Sequence, residues 1–221
     1  MHYLQQHFTQ IDANIPFNEN NRIMDIAAIQ GTLMRETVDD TLSLLTHDKL
    51  QLATSLLTKA NTIYVYGAEN NNAYLDLFKY KLLRINKKII HENTYGNQMY
   101  TVLQASPNDC VILISYSGES SSMVKIAKEL GKKKIPLITL TCIGNNTVNN
   151  YATCPLFIST REKMHSKIGS FSTEYSISLI LNILYSTIFL KDYQDNLELK
   201  FNRTKYFEGN RKANSMLLEE D

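Results

Sequence analysis

The segment that decides the fold spans residues 112–122 and reads ILISYSGESSS. Its first three residues continue a β-branched and aliphatic run from Val111, which is typical of a strand buried on both faces. Apolar residues return with helical spacing over residues 123–130. The serines of this segment therefore lie where a buried strand ends and a helix begins.

This junction predicts an anion-binding turn. The first backbone N–H groups of a helix lack acceptors within the helix, and the aligned peptide dipoles add partial positive charge. Ser115, Ser117 and Ser120 each add a hydroxyl donor, and Gly118 lets the backbone approach a ligand closely. One serine is enough to cap a helix, whereas this turn holds five between Ser115 and Ser122. The density of hydroxyls favours a phosphate site, with a simple helix cap as the open alternative.

Composition excludes several classes of function. The 221 residues include 23 basic and 22 acidic side chains, and the net charge of +1 gives no strong field for nucleic acid or an anionic membrane. The longest apolar stretch, 177–190, is interrupted by polar residues and falls short of the roughly 18 that a membrane span needs. Cys110, Cys142 and Cys154 show no C-x-x-C spacing and are expected to be buried, reduced thiols. We expect a cytoplasmic protein with no membrane partner.

The remainder of the chain alternates between two periodicities. Strands are predicted at five short apolar runs, namely 62–66, 88–91, 110–115, 136–141 and 155–159. Helices are predicted at 22–46, 48–60, 73–85, 98–105, 123–130 and 166–192. Strands joined by helices pair in parallel with right-handed crossovers. The sequence therefore predicts an α/β fold, a doubly wound three-layer α/β/α sandwich with a five-stranded parallel sheet.

The chain is predicted to divide into three segments. Residues 1–21 are polar and Asn-rich, which indicates a linker or the remnant of an upstream domain. Residues 22–192 form the folded domain, and the last helix is apolar on nearly every face, so it is expected to be buried in the sheet or against a second subunit. Residues 193–221 alternate charges with few apolar anchors, which predicts a partly disordered appendage. Ligands of such sheets bind outside the carboxyl ends of the strands, near the switch in strand order.

Three motifs follow one another in the chain: YKLLRI at 80–85, ISYSGES at 114–120 and SKI at 166–168. Together they resemble the SIS (sugar isomerase) phosphosugar-binding domain, in particular the effector domain of MurR/RpiR transcriptional regulators. The serine turn is the most specific of the three. The resemblance covers about residues 22–190 and implies a flavodoxin-like sheet and a homodimer or higher homo-oligomer. It also implies a phosphorylated sugar or amino sugar, whose phosphate is bound by Ser115, Ser117, Ser120 and nearby amides.

The resemblance assigns further residues to the ligand site. Gly67 matches the glycine that opens the family's first βα turn, and Asn71 stands where the family usually has a serine. Glu69 replaces the usual second glycine and brings a negative charge towards a dianionic ligand. Ser166 matches the serine that opens the last helix and faces the sugar from the dimer side.

Three hypotheses for function remain open. The first is a non-catalytic sensor, a phosphosugar-binding domain that controls an upstream helix-turn-helix DNA-binding domain; that domain is not visible in this sequence, and residues 2–6 look like its end. The second is a phosphosugar isomerase-type enzyme, for which Glu174 and His165 are the candidate base and sugar contact, each weighed against an ordinary surface role. The third is a dimerising scaffold whose serines only cap a helix. His47 and His91 lack partners at metal-ligand spacing, so neither a metal nor a cofactor is expected.

Overall fold

The computed structural model describes residues 11–67 and 71–208. Its strands are β1 (Ile63–Gly67), β2 (Ile89–His91), β3 (Cys110–Ile114), β4 (Leu137–Thr141) and β5 (Cys154–Phe157). Its helices are α1 (Ile23–Leu44), α2 (His47–Lys59), α3 (Asn72–Leu83), α4 (Tyr95–Gln104), α5 (Ser121–Lys132), α6 (Phe171–Lys191) and α7 (Tyr193–Glu208). A 3-10 turn at Val148–Tyr151 precedes β5.

The five strands form one parallel sheet in the order β2-β1-β3-β4-β5. The chain moves from β1 outward to β2, then returns across β1 to build β3, β4 and β5 in the opposite direction. Ile114, the last residue of β3, pairs with Gly67 at the end of β1 and with Leu140 in β4. The doubly wound sandwich and its flavodoxin-like strand order are confirmed. The reversal lies between β1 and β3, where parallel sheets open a crevice for ligands.

Each face of the sheet supports its own apolar layer. The side chains of β3 alternate, so Ile112 and Ile114 pack against α2, α3 and α6, while Val111 and Leu113 pack against α4 and α5. All five residues of β3 are buried, as the apolar run predicts for a central parallel strand. Helix α3, which follows β1, lies on one face of the sheet, and helix α5, which follows β3, lies on the other.

Helix α6 is a core helix on the face of the sheet that Ile112 and Ile114 line. It packs against α1, α2 and α3, and its buried residues are Ser172, Thr173, Ser176, Ile177, Ile180, Leu181, Leu184 and Ile188. By length and composition alone, it is the one helix within residues 11–67 and 71–208 that could cross a membrane. Its buried residues pack against three helices and the sheet.

Pairs of hydroxyl groups join α6 to the first helix. The Thr37 hydroxyl lies 2.8 Å from that of Ser172, and the Thr41 hydroxyl lies 2.8 Å from that of Ser176. The Ser176 oxygen also accepts a hydrogen bond of 2.9 Å from the backbone N–H of Ser159, just beyond β5. All these groups are buried, so each needs its partner to offset the loss of water.

The structure corrects the start of the last core helix. The prediction places it at Ser166, but α6 begins at Phe171, and Ser166 lies in the loop before it. The carboxylate of Glu162 accepts a hydrogen bond from the backbone N–H of Ser172, at 2.5 Å. A carboxylate at this point satisfies the first N–H groups of the helix and so sets where the helix begins.

The C-terminal segment is helical as far as Glu208. The Arg203 side chain of α7 reaches the carbonyl groups of Leu83 and Arg84, which end α3. This contact ties α7 to the domain through the positive charge that a helix C-terminus favours. Residues 1–10, 68–70 and 209–221 lie outside the described residues. The predicted remnant at 2–6, the end of the appendage for which disorder is predicted, and Glu69 therefore lie outside them too. The linker at residues 1–21 stays a prediction.

The three cysteines are free thiols, as expected. Cys110 and Cys154 are buried, and burial raises the pKa of the Cys110 thiol to about 12. Cys142 is only half-buried, which corrects the prediction that all three are buried, because it lies just beyond the end of β4.

Replacing Ser176 with alanine tests the hydroxyl contacts of α6. We expect Ser176→Ala to lower the free energy of unfolding by about 1–3 kcal/mol, because the buried N–H of Ser159 loses its acceptor. Urea denaturation measures this loss. The matched control is Ser178→Ala on the same helix, at a half-buried serine whose side chain has no hydrogen bond to another described residue. Equal losses in the two variants would contradict the role given to Ser176.

Candidate functional site

The serine turn lies at the carboxyl edge of the sheet, beside the reversal in strand order. Ser115 follows β3 directly, and its backbone N–H donates to Leu140 of β4 at 3.1 Å. Gly67, at the end of the neighbouring β1, pairs with Ile114. The two turns named by the sequence, after β1 and after β3, therefore lie side by side and lead to helices on opposite faces.

The start of α5 is left open to a ligand. Its N-cap residue is Ser120, whose side chain makes no capping hydrogen bond and instead lies 3.1 Å from the Ser122 hydroxyl. Within the described residues, the backbone N–H groups of Ser121, Ser122 and Met123 have no acceptor. Three N–H groups at the positive end of a twelve-residue helix, with hydroxyls beside them, suit an anion.

The other serines of the turn differ in exposure. Ser115 is only 2% exposed, and its carbonyl accepts from the N–H of Gly118 at 3.1 Å. Ser117 is half-buried, and its hydroxyl oxygen accepts from the N–H of Glu119 at 3.1 Å while keeping its own proton for another acceptor. Ser117 and Ser120 can therefore donate to a ligand without breaking a bond of the turn.

The conformation of the turn depends on Gly118. Its φ of +67° lies in the left-handed region, and a Cβ there would be 2.2 Å from the side chain of Asn146. The Gly118 carbonyl accepts from the N–H of Val148 at 3.1 Å. Glycine is therefore required at this position both by the backbone angle and by close packing.

A second contact fixes the turn from the same side. The Glu119 carboxylate accepts hydrogen bonds of 2.7 Å from both the N–H and the hydroxyl of Thr147. These bonds lower the pKa of Glu119, so the carboxylate stays charged and bound to the loop after β4. Asn146 and Thr147 carry no signal in the sequence pattern, because they follow a different strand and reach the turn only in the folded sheet.

The turn after β1 is closely packed around Gly67. A Cβ on Gly67 would lie 3.1 Å from the side chains of Asn71 and Leu75, so a larger residue would press against both. Asn71 is 9% exposed and precedes α3 without a capping hydrogen bond from its side chain. The amide of Gln98 donates to the Gly67 carbonyl at 3.3 Å. Gly67 and Asn71 thus lie on the opposite side of the crevice from the serine turn.

His91 fixes the start of α3 to the end of β2. Its fully buried ring lies 2.8 Å from the Asp76 carboxylate and 3.2 Å from the side-chain oxygen of Asn72. Both partners belong to α3, so His91 has a structural role. Within the described residues, no three His, Cys, Asp or Glu side chains are grouped as metal ligands would be.

The loop between β5 and α6 also reaches the serine turn. The side chain of Glu162 is fully buried, and its carboxylate accepts from the Thr173 hydroxyl at 2.7 Å and from the Lys167 ammonium at 3.1 Å. The Tyr116 hydroxyl, between two serines of the turn, donates to the Glu162 carbonyl, and the Lys167 ammonium lies 5.0 Å from the Tyr116 ring centre. Burial, followed by the Glu162 charge, raises the pKa of Tyr116 to about 12.

The remaining predicted residues lie on the surface. Ser166, His165 and Glu174 are all exposed, with Ser166 in the loop and Glu174 in the first turn of α6. Their side chains make no hydrogen bond to another residue within 11–67 and 71–208. The structure thus gathers Ser115, Ser117, Gly118 and Ser120 in one turn opposite Gly67 and Asn71. The ligand roles of Ser166, His165 and Glu174 stay predictions.

A family model for the SIS domain matches residues 56–186. The chain belongs to the SIS domain family. The match contains both turns of the crevice and most of α6, so the serine turn and the residues opposite it lie within the part of the chain that defines the family.

Curated relatives of this SIS domain are transcriptional regulators. An uncharacterized HTH-type transcriptional regulator of Thermotoga maritima is 25% identical over 193 residues, which are 86% of this chain and 68% of the relative. The uncharacterized HTH-type regulator YbbH of Bacillus subtilis is 24% identical over 159 residues, which are 72% of this chain and 56% of that protein. The chain therefore spans only part of the length of these relatives.

Solved structures share the fold. The Vibrio vulnificus NanR protein complexed with ManNAc-6P has a TM-score of 0.76 at 20% identity, with 86% of this chain and 70% of that chain covered. The sugar isomerase domain of an RpiR transcription factor from Sphaerobacter thermophilus gives 0.72 at 16%, covering 81% and 98%. A phosphoheptose isomerase from Francisella tularensis gives 0.57 at 15%, covering 76% and 98%. At these identities the likeness shows the fold alone, which regulators and enzymes share.

Substitution of Gly118 tests the geometry of the serine turn. We expect Gly118→Ala to lose about 1–2 kcal/mol of unfolding free energy from the left-handed backbone and a further 1–3 kcal/mol from overlap with Asn146. The matched control is Gly144→Ala, because Gly144 has a φ of +114° but open space where its Cβ would lie. Urea denaturation of both variants separates the two costs. A loss no larger for Gly118→Ala than for Gly144→Ala would show that the close packing against Asn146 is unimportant.

Proposed function

We propose that this SIS domain is a phosphosugar sensor of an RpiR-type transcriptional regulator. The observation that carries the proposal is the open start of α5, where three backbone N–H groups without acceptors among the described residues lie beside the Ser117 and Ser120 hydroxyls. These donors are neutral, fixed in place by Gly118 and Glu119, and close to the reversal in strand order. Such a set can bind the phosphate of a phosphorylated sugar or amino sugar without a metal ion.

The sugar itself extends across the crevice towards Gly67 and Asn71 in this proposal. The Asn71 amide both donates and accepts hydrogen bonds, so it suits a sugar hydroxyl or an acetamido group. Ser115, at the base of the turn, is buried. The similar structure complexed with an amino-sugar phosphate, ManNAc-6P, makes that ligand the first probe to use.

The regulatory part of the proposal comes from the relatives. Two of them are HTH-type regulators that are longer than this chain, so we assign DNA binding to a helix-turn-helix domain that lies outside residues 1–221. The sugar phosphate would alter the way subunits of a homodimer or higher homo-oligomer present that domain. The same relatives, both bacterial regulators, support a cytoplasmic location.

An isomerase-type enzyme is the second candidate, because the fold is shared with a phosphoheptose isomerase. A proton transfer between sugar carbons needs a base held close to the substrate. Glu174 and His165 are exposed and lack hydrogen bonds to the described residues, whereas the serine turn is braced by Glu119 and Gly118. Catalytic turnover of a sugar phosphate that disappears in Glu174→Ala would favour the enzyme over the sensor.

Ligand-dependent thermal stability tests the proposed binding. At 100 times its Kd, a ligand adds about 2.7 kcal/mol to the free energy of unfolding. We expect such a shift from at least one of N-acetylmannosamine 6-phosphate, glucosamine 6-phosphate and arabinose 5-phosphate, and none from unphosphorylated N-acetylmannosamine.

Substitution of the turn serines then locates the site. Each of Ser117→Ala and Ser120→Ala removes a hydrogen bond to a charged group, worth about 1.5–3 kcal/mol, so the Kd should rise roughly tenfold to a hundredfold. Ser55→Ala on α2, at a half-buried serine far along the chain from the turn, is the matched control and should leave the Kd unchanged. Binding that is lost equally in all three variants, or never detected, would favour the scaffold in which serines only cap a helix.

A further inference from the structure

The segment before α1 packs against the loop between β5 and α6. The Asn14 carbonyl accepts from the N–H of Ile168 at 2.9 Å, and its side-chain oxygen accepts from the N–H of Lys163 at 2.6 Å. Phe17 lies 6.3 Å, ring centre to ring centre, from Phe171 at the start of α6. Ala13 of the same segment is 3% exposed. We call residues 12–17 the strap, because they hold this loop from outside.

The strap has its own internal support. The Asp12 carboxylate accepts hydrogen bonds from both the backbone N–H and the side-chain amide of Asn14, at 2.9 and 2.8 Å. These two bonds orient the Asn14 amide, so its oxygen points at the N–H of Lys163. The hydrogen bonds from Asn14, with a smaller effect of the Lys163 charge, lower the pKa of Asp12. Asn14 therefore forms hydrogen bonds through its backbone carbonyl, its backbone N–H, its side-chain oxygen and its side-chain NH2 group.

The loop that the strap holds is the one that contacts the serine turn. At its start, Arg161 pairs with Glu36 and Asp40 of α1 at 2.6 and 3.4 Å. The carbonyl of the next residue, Glu162, accepts from the Tyr116 hydroxyl, and farther along the loop Lys167 lies over the Tyr116 ring. The next residue after Lys167, Ile168, is bound by Asn14. A continuous set of contacts therefore leads from the strap to Tyr116, which stands between Ser115 and Ser117.

We infer that Asn14 is a positioning residue for the phosphosugar site, and that the strap and the site are energetically coupled through the β5–α6 loop. This inference rests on the proposed function of the serine turn. Displacement of the strap frees the N–H groups of Lys163 and Ile168, which flank the part of the loop that holds Tyr116 through Glu162 and Lys167, and so disturbs the two serines beside Tyr116. Coupling is reciprocal: if the strap favours the ligand, the ligand favours the docked strap by the same factor. In a longer chain with a domain before residue 11, the strap joins that domain to the sensor.

Affinity measurements on the full chain test the inference. We expect Asn14→Ala to raise the Kd for N-acetylmannosamine 6-phosphate at least about fivefold in isothermal titration, the lower end of typical coupling between sites. The matched control is Asn20→Ala, the same replacement at an exposed residue close to the strap, which should leave the Kd unchanged. Titration is done well below the melting temperature of each variant. A purely structural role for Asn14 would lower stability without changing the affinity of the folded protein.

Two further measurements separate positioning from general loss of structure. In the wild type, the ligand should slow hydrogen exchange at the N–H groups of Lys163 and Ile168. In Asn14→Ala this slowing should vanish at Lys163, whose acceptor is the Asn14 side chain. The double variant Asp12→Asn with Asn14→Asp swaps the two side chains, so the pair still contains an amide and a carboxylate, and residue 14 still offers an acceptor to the Lys163 N–H. This variant should recover most of the sugar-phosphate affinity that Asn14→Ala loses.

The possible failures are distinguishable. A wild-type chain that binds none of the three sugar phosphates named above overturns both the proposed function and this inference. Binding to the wild type with the same Kd in Asn14→Ala and Asn20→Ala, or no ligand effect on exchange at Ile168, overturns the inference alone and leaves the serine turn as the binding site.

Discussion

The structure depends on which helix starts are satisfied by the protein and which are left open. Thr46 caps α2, Thr94 caps α4, and the buried Glu162 carboxylate serves the start of α6. The N-cap residue of α5 makes no such bond. Helix α5 follows β3, which lies beside β1 at the point where the sheet order reverses. Unsatisfied N–H groups near a buried interior are costly, so a crevice that keeps them accessible is suited to an anion that can accept from them.

The serine turn and the alternation of strands and helices are predictable because they are local. A central parallel strand is buried on both faces and shows as a continuous apolar run, which β3 has over five residues. Hydroxyls gathered at the following helix start are visible in the same window. Strand order is different, because it depends on which strands meet across the sheet. The β2-β1-β3-β4-β5 order follows from the resemblance to the SIS family and not from periodicity.

The contacts that hold the site in place are not predictable from the sequence. Glu162 stands nine positions before the first residue of α6, and Thr147 follows another strand than the Glu119 it binds. Neither spacing matches a capping pattern, since the residues of a helix cap lie within about three or four positions of one another. The separation along the chain between Glu162 and α6 also explains why the prediction that α6 begins at Ser166 is wrong. An apolar pattern cannot show that the carboxylate of Glu162 sets the start of the helix. Asn14 likewise falls in the predicted linker, because its partners at Lys163 and Ile168 lie far along the chain.

A fold shared by regulators and isomerases becomes a sensor or an enzyme through its site. Here the donors of the serine turn are neutral and braced by Gly118, Glu119 and Tyr116, which suits recognition of a phosphate. The most direct test is a crystal structure of the chain with N-acetylmannosamine 6-phosphate. We expect phosphate oxygens within about 2.7–3.2 Å of the N–H groups of Ser121, Ser122 and Met123 and of the Ser117 hydroxyl. A phosphate bound elsewhere, with these N–H groups contacting only solvent, would contradict this expectation.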